Sequence, residues 1–191
     1  MTTPQRVAAK FLLSDPTAPI QLDPYIGIFH RFIQQSVVDG LLVDVADYAH
    51  VPNGPGIVLI GHDVDYGLDL VGGKVGLFTL RKRYTDVSTA DIVRDTLKKA
   101  LGAMVALEAE SEVDVEFDAS AVTLELFDRL ASPNDDASFE ARRKEIEPVA
   151  DALYGPGAHA ITRAHADDAR KALSLHVAGS ADGAASLLAR L

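Results

Sequence analysis

The chain has 191 residues, which is enough for one domain with a sizeable hydrophobic core. Hydrophobic residues make up 48% and charged residues 24%, values that are ordinary for a globular protein and exclude a disordered chain. The formal net charge of −10 disfavours binding to phosphate backbones, so we expect no nucleic-acid partner, and the lack of cysteine excludes disulfides and cysteine-ligated metal sites.

The apolar runs of the chain are short, which bears on where the protein works. None approaches the roughly 20 residues that a membrane-spanning helix needs. Lys10 interrupts the first apolar run, so the N-terminal segment does not resemble a signal peptide. We therefore expect a soluble, cytoplasmic protein without a membrane partner.

The first 50 residues predict a strand, a helix and a second strand. Residues 6–14 form the first strand, and residues 41–46 form the second because their apolar side chains alternate. The helix begins at Asp23, a good N-cap, and we expect it to end at Gly40. Its apolar stripe consists of four residues at helical spacing: Ile26, Phe29, Ile33 and Val37.

Residues 57–60 form an unbroken apolar run between two glycines. A run without a polar face predicts a strand that is buried on both sides. His62, Asp63 and Asp65 follow this strand directly. Because the end of a strand displays side chains at the edge of a rigid scaffold, this segment is the first candidate site.

A hairpin and a long helix are predicted next. Residues 66–70 and 75–81 flank Gly72-Gly73, and a glycine pair supplies the positive φ that tight hairpin turns require. Ser88 and Asp91 resemble a capping box, which predicts the start of a helix that continues to about residue 110.

The second half of the chain predicts more strands around another helix. Residues 112–118 alternate between acidic and apolar side chains, which is typical of a half-buried strand with carboxylates on its solvent face. A strand follows in which the apolar residues Val122, Leu124 and Leu126 alternate with other residues. A helix comes next, and we expect Pro148 to kink that helix or divide it in two. Residues 159–164 and 173–177 predict two final strands, and a short helix ends the chain.

Together these elements predict an α+β fold, in which a mixed, mainly antiparallel sheet is covered by about three helices. Residues 1–178 form a single domain, and residues 179–191 add a linker and a short helix. Similar turn residues predict two related βαββ halves, over residues 6–84 and 112–178, joined by the helix 88–110. The alternative is a coincidence of turn residues.

Histidine and carboxylates at a strand end are suited to binding a divalent metal ion or to acting as a general base. The expected metal ligands are His62, Asp63, Asp65 and Asp167, and the candidate catalytic residues are His62, Asp63 and His165. His165 and Asp167 belong to the second half, so this site requires the two halves to converge. In an extended segment His62 points away from Asp63 and Asp65, so it also requires a bend. The alternative is a turn capped by aspartates.

Two other groups of polar residues could either form a functional site or simply face the solvent. One is a cluster at a strand end: Asp44, Asp47, Tyr48 and His50. It predicts either a polar pocket with Arg81 or Arg83, or ordinary solvation of the strand end. The acidic row of residues 112–118 predicts a solvated face or ion pairs to the same arginines, with a basic partner as the alternative.

No motif identifies a reaction, and the first hypothesis is therefore a non-catalytic binding or assembly protein that forms a homo-oligomer. The alternative is a metal-assisted hydrolase that uses the His/Asp cluster at the strand end and a divalent metal ion as cofactor. A third hypothesis is cargo-like recruitment through the C-terminal helix, Ser186 to Leu191, which would dock on another protein. Packing of that helix on its own sheet is the alternative.

Overall fold

The structure, a computed structural model, describes residues 3–83 and 87–191. This described part is an α+β fold with an eight-stranded sheet and four helices. The strands are β1 (Arg6–Leu12), β2 (Leu42–Tyr48), β3 (Gly56–Gly61), β4 (Val64–Asp69), β5 (Gly76–Lys82), β6 (Ala121–Leu126), β7 (His159–Ala164) and β8 (Leu173–Gly179). The helices are α1 (Asp23–Gln35), α2 (Thr89–Glu108), α3 (Asp136–Tyr154) and α4 (Ala184–Leu188).

The strand order of the sheet is β2-β3-β4-β5-β1-β6-β8-β7. All seven neighbouring pairs of these strands are antiparallel, and the predicted α+β fold is confirmed. Short connections between β2, β3, β4 and β5 favour this arrangement, because a parallel pair needs a long crossover. β1 lies near the middle, between β5 and β6, and therefore joins the first part of the chain to the second.

The helices α1, α2 and α3 pack on one face of the sheet, and α4 packs against α2. The side chains of Val7, Ala9 and Phe11 on β1 point to this face and are completely buried. α2 contacts β1 and β5, α3 contacts β7 and β8, and α1 contacts β2 and β3. The alternate side chains of each strand point to the opposite face, which therefore carries the polar residues of the central strands.

α1 differs from its prediction at both ends. Its N-cap is Leu22, without a side-chain hydrogen bond, and it ends at Gln35 rather than at Gly40. Ser36 adopts the left-handed conformation with φ 51°, and its N–H bonds to the carbonyl of Phe32. The predicted stripe is correspondingly shifted, because the buried residues of the helix are Tyr25, Ile28, Phe29 and Phe32.

The hairpin between β4 and β5 confirms the role predicted for its glycines. Gly72 and Gly73 have φ of 77° and 69°, and they form a short 3₁₀ turn with Val71. The capping residue of α2 is also confirmed, since the Oγ of Ser88 accepts a hydrogen bond of 3.1 Å from the N–H of Asp91.

The strand predicted over residues 112–118 is wrong. The segment makes only an isolated bridge between Phe117 and Leu13, although Val115 and Phe117 point inward and are 9% and 4% exposed. The physical reason is that β6 pairs with the same edge of β1 over Val7–Lys10, so the segment reaches this edge only beyond it. There the N–H of Asp118 donates to the carbonyl of Leu12, at 2.9 Å. The alternation correctly identified the buried side of the segment but not its backbone pairing.

Pro148 lies inside α3, which the structure shows as one continuous helix from Asp136 to Tyr154. The prediction that Pro148 divides this helix is therefore wrong. The residue is exposed, and so is Lys144, whose carbonyl would accept the N–H that proline lacks. Water can satisfy that carbonyl at the surface, which makes the proline tolerable.

The duplication into two halves stays a prediction. The first half contributes β1 to β5 and the second contributes β6 to β8, with α2 between them. Residue 84, where we expect the first half to end, lies outside the described residues, as do residues 1 and 2 at the start of the predicted domain.

Within the described ranges, no helix is both long and apolar enough to cross a bilayer.

Candidate functional site

The face of the sheet opposite the helices holds a groove with a volume of about 730 Å³. Apolar side chains from the two central strands form much of its floor: Ala8, Leu12, Phe78 and Leu80. The groove runs diagonally from the β4–β5 turn, which contributes Val71, to the β7–β8 turn, which contributes His165 and Lys171. Its volume lies within the range that is typical of sites for small organic molecules.

Lys10 and Asp69 form an ion pair at one end of the groove. Their Nζ and Oδ2 atoms are 2.7 Å apart, and Nζ also donates to the carbonyls of Lys74, at 3.1 Å, and Val71, at 3.4 Å. The second oxygen of Asp69 accepts a bond of 2.9 Å from the N–H of Val71. Lys10 is therefore engaged with the β4–β5 turn and holds that turn against the sheet.

Glu125 also lines the groove, one residue before the end of β6. Its neighbours across the sheet are Ala8 on β1 and Ser174 on β8, two small residues that are 6% and 1% exposed. Neither side chain is long enough to cover the carboxyl group. Glu125 is half-buried, and in the described part of the chain no group makes a hydrogen bond or ion pair with its carboxyl group.

The surroundings of Glu125 raise its pKa above the ordinary value of a glutamate. Burial is the largest cause, because it disfavours the charged form, and the negative charge of Asp69 adds to it. Electrostatic interactions with His165, Lys10 and Lys171 act in the opposite direction without cancelling the effect. A carboxyl group with a raised pKa in a groove is a frequent feature of binding and catalytic sites.

Two histidines border the groove on the side of β7 and β8. His176 lies opposite Thr123, with 3.4 Å between its Nδ1 and the threonine Oγ1. His165 is exposed and has a positive φ of 54°. Its carbonyl accepts a bond of 2.9 Å from the Nδ2 of Asn134, a buried residue that also binds the carbonyl of Asp168 at 3.0 Å. The β7–β8 turn is therefore fixed to the start of α3.

The residues predicted as the first candidate site lie at the β3–β4 turn. His62 and Asp63 form the two-residue connection, and the His62 Nε2 is 3.1 Å from Arg83 and 3.7 Å from Asp63. Asp65 belongs to β4, where its Oδ1 accepts bonds from Lys82, at 2.6 Å, and from a backbone N–H. These contacts agree with the alternative interpretation of a turn stabilised by aspartates.

The second group of predicted site residues lies far from the first. His165 and Asp167 follow β7, whereas His62 follows β3, and six strand-to-strand steps separate β3 from β7. At ~4.8 Å per step, this corresponds to about 29 Å along the sheet. The structure therefore does not bring His62 and Asp63 together with His165 and Asp167.

Residues 3–83 and 87–191 contain no group of three or more histidine, cysteine, aspartate or glutamate side chains that could hold a metal ion. The metal and catalytic roles of His62, Asp63, Asp65, His165 and Asp167 remain predictions from the sequence without this support.

The other polar groups have local contacts. Asp44 and Asp47 each accept a hydrogen bond of 2.8 Å from a nearby backbone N–H, which is typical of a solvated strand end. Glu112 forms an ion pair of 2.9 Å with Arg31, not with the arginines expected from the sequence. Arg81 instead lies on the helix face and binds Asp95 of α2 at 2.8 Å.

Residues of the groove were not among the site residues predicted from the sequence, apart from His165. The sequence does contain a pattern that indicates them, because apolar and polar side chains alternate in β1, β6 and β8. The polar residues of this pattern that line the groove are Lys10, Thr123, Glu125, Ser174 and His176. Each of these residues by itself is typical of a solvent-facing strand position. Only the strand order brings them to one groove.

A comparison with known proteins finds no family model and no curated protein that matches this chain. The geometry of the groove is therefore the basis for a function.

Proposed function

We propose that the protein is a non-catalytic binding protein that holds a small organic molecule in the groove on the open face of its sheet. One observation carries the proposal: the apolar floor of a groove of about 730 Å³ surrounds a half-buried carboxyl group, Glu125, that lacks a hydrogen-bond partner among the described residues. Apolar walls with a few convergent polar groups are the usual composition of a ligand site.

Three naphthalene probes of equal size test this proposal: 1-naphthylmethylamine, 1-naphthalenemethanol and 1-naphthoate. We expect at least one probe to bind in isothermal titration calorimetry. We also expect it to shift backbone amide signals of β1, β5, β6 and β8 in NMR spectra, because these strands form the groove. The proposal fails if no probe binds or if the shifts lie elsewhere.

A pair of matched variants locates the binding. Thr123 and Thr162 lie in the same row of the sheet, on either side of His176, but only Thr123 lines the groove. Thr123→Trp fills the middle of the groove and should abolish probe binding, whereas Thr162→Trp should leave it unchanged. Equal binding by the two variants would contradict the proposal, provided that both have the melting temperature of the unchanged chain.

The proposal retains the homo-oligomer expected from the sequence. The reason for expecting an oligomer is a group of exposed apolar residues around the edge strand β2: Val37, Leu41, Val43, Tyr48 and Val51. Native mass spectrometry of untagged protein reads the number of subunits together with any bound small molecule. A monomer would remove this part of the proposal and leave the groove intact.

A further inference from the structure

Lys10, a cation on the strand beside Glu125, is engaged with other partners. Lys10 lies on β1, two residues beyond the position that is opposite Glu125, and its side chain instead binds Asp69 and the carbonyls of the β4–β5 turn. These three bonds use the hydrogen-bonding capacity of the ammonium group. Glu125 is therefore left without the partner that a diagonal position on the neighbouring strand would otherwise supply.

The remaining charged and titratable groups around the carboxyl do not replace this partner. His165 and Lys171, on the β7–β8 turn, are exposed, so that water screens their charges. His176 on β8 has its Nδ1 directed at Thr123, and Asp69 on β4 carries the same charge as Glu125. Thr123 and Ser174 line the groove beside Glu125 as uncharged neighbours.

The carboxyl group thus offers a binding position for a cation. An ionised carboxylate that has lost part of its hydration without gaining a donor is costly, and a ligand N⁺–H removes that cost by a charge-assisted hydrogen bond. The floor of Phe78 and Leu80 beside it suits an apolar ligand body. The net charge of −10 of the whole chain also raises the local concentration of cations.

We infer that the natural ligand of the groove is an apolar amine, whose ammonium group binds the carboxylate of Glu125 while its hydrocarbon body lies on Phe78 and Leu80. This inference rests on the proposed function, because it names the class of molecule that the same groove would take. It adds a direction for the pH dependence: the affinity for the amine increases as the pH rises and Glu125 loses its proton.

The three naphthalene probes separate this inference from the proposed function. We expect 1-naphthylmethylamine to bind roughly tenfold or more tightly than 1-naphthalenemethanol, since hydrogen bonds to charged groups are the strong ones. In the Glu125→Gln variant this preference should disappear while binding of the alcohol persists. The affinity for the amine, but not for the alcohol, should fall in acid solution.

The control is Glu116→Gln, which makes the same change at an exposed residue outside the groove and should keep the preference for the amine. The inference is overturned if the alcohol or 1-naphthoate binds as tightly as the amine, or if the Glu125→Gln variant keeps the preference. Either result still leaves a binding groove. If none of the probes binds, the proposed function itself fails.

Discussion

At the scale of the residue, the guanidinium group of Arg142 shows how a buried charge is used inside the fold. Arg142 on α3 is completely buried. It donates to Ser132 and Thr89 at 2.9 Å each, to Glu145 at 2.7 Å and to the carbonyl of Ala131 at 3.0 Å. These partners belong to the start of α2, the segment before α3 and α3 itself, so one side chain connects all three.

We predict that Arg142→Ala lowers the free energy of unfolding by about 3–5 kcal/mol, because it leaves buried acceptors without their donor. The matched change is Arg143→Ala, one residue further along α3. Arg143 binds Glu140 and Glu147 at the surface, at 3.1 Å and 3.3 Å, and its loss should cost about 0–1 kcal/mol. Urea unfolding of both variants measures the difference, and equal stabilities would contradict the structural role of Arg142.

If Arg142→Ala does not fold, Arg142→Lys replaces it in the same measurement. Lysine keeps the positive charge but lacks the fork of donors that reaches several acceptors at once. We expect this variant to fold with a stability between those of the unchanged chain and an alanine variant.

At the scale of the element, α4 shows why the C-terminal helix does not need a partner to be covered. The helix contacts α2, and Leu187 is completely buried within the chain. Arg190, just beyond its end, donates a bond of 2.7 Å to the carbonyl of Leu153 at the end of α3. The structure therefore agrees with packing on the same chain, although on helices rather than on the sheet.

We predict that Leu187→Ala lowers the free energy of unfolding by about 2–5 kcal/mol, the usual cost of a cavity in a core. Leu188→Ala should cost less, because Leu188 is only partly buried. Thermal unfolding of both variants, and of a chain that lacks residues 186–191, checks this. If the shortened chain keeps its melting temperature, the helix is dispensable for folding and recruitment by a partner becomes the better explanation.

The predictions from sequence succeeded where a local pattern was sufficient. The alternation in residues 121–126 and the glycine pair at Gly72-Gly73 each contain the information for their own structure. The segment 112–118 alternates just as clearly but makes only an isolated bridge, because β6 pairs with the same edge of β1 over Val7–Lys10 and leaves only the end of that edge free. Which segment pairs with a strand edge is a non-local effect that no window of sequence contains.

At the scale of the whole molecule, the same limit explains the candidate site. Lys10, Glu125 and His176 come from β1, β6 and β8, which are distant along the chain and adjacent in the sheet. The clusters around His62 and His165 are compact in the sequence and therefore attract attention, but the strand order separates them by six steps. A functional site built across antiparallel strands leaves no contiguous motif.

The whole molecule also contains carboxylates whose hydrogen bonds stabilise the fold. The N–H of Ser138 donates to Asp135, the N-cap of α3, and this bond lowers the pKa of Asp135. The guanidinium group of Arg170 donates to Asp168 and lowers the pKa of Asp168. A carboxyl group with a lowered pKa stabilises the fold above its ordinary pKa, and this stabilisation is lost as the pH falls through the lowered value.

Asp95 and Glu145 add to the same effect. Burial raises the pKa of each carboxyl group, but hydrogen bonds to its ionised form lower the pKa by more. Asp95 accepts these bonds from Lys99 and Arg81. Glu145 accepts them from Thr89 and Arg142. Glu125 acts in the opposite direction, because its raised pKa means that its ionised form costs stability at neutral pH. Among the described residues, four carboxyl groups with a lowered pKa thus oppose one with a raised pKa, which predicts that the fold is more stable at neutral pH than in acid.

We therefore predict that the melting temperature falls as the pH is lowered from about 5 to about 3, the range in which carboxyl groups titrate. Asp135→Asn is the informative variant, because asparagine caps a helix about as well as aspartate but does not titrate. Its melting temperature should fall less steeply with acid than that of the unchanged chain. A melting temperature that is constant or rises in acid would show that the hydrogen-bonded carboxylates do not control the stability of the fold.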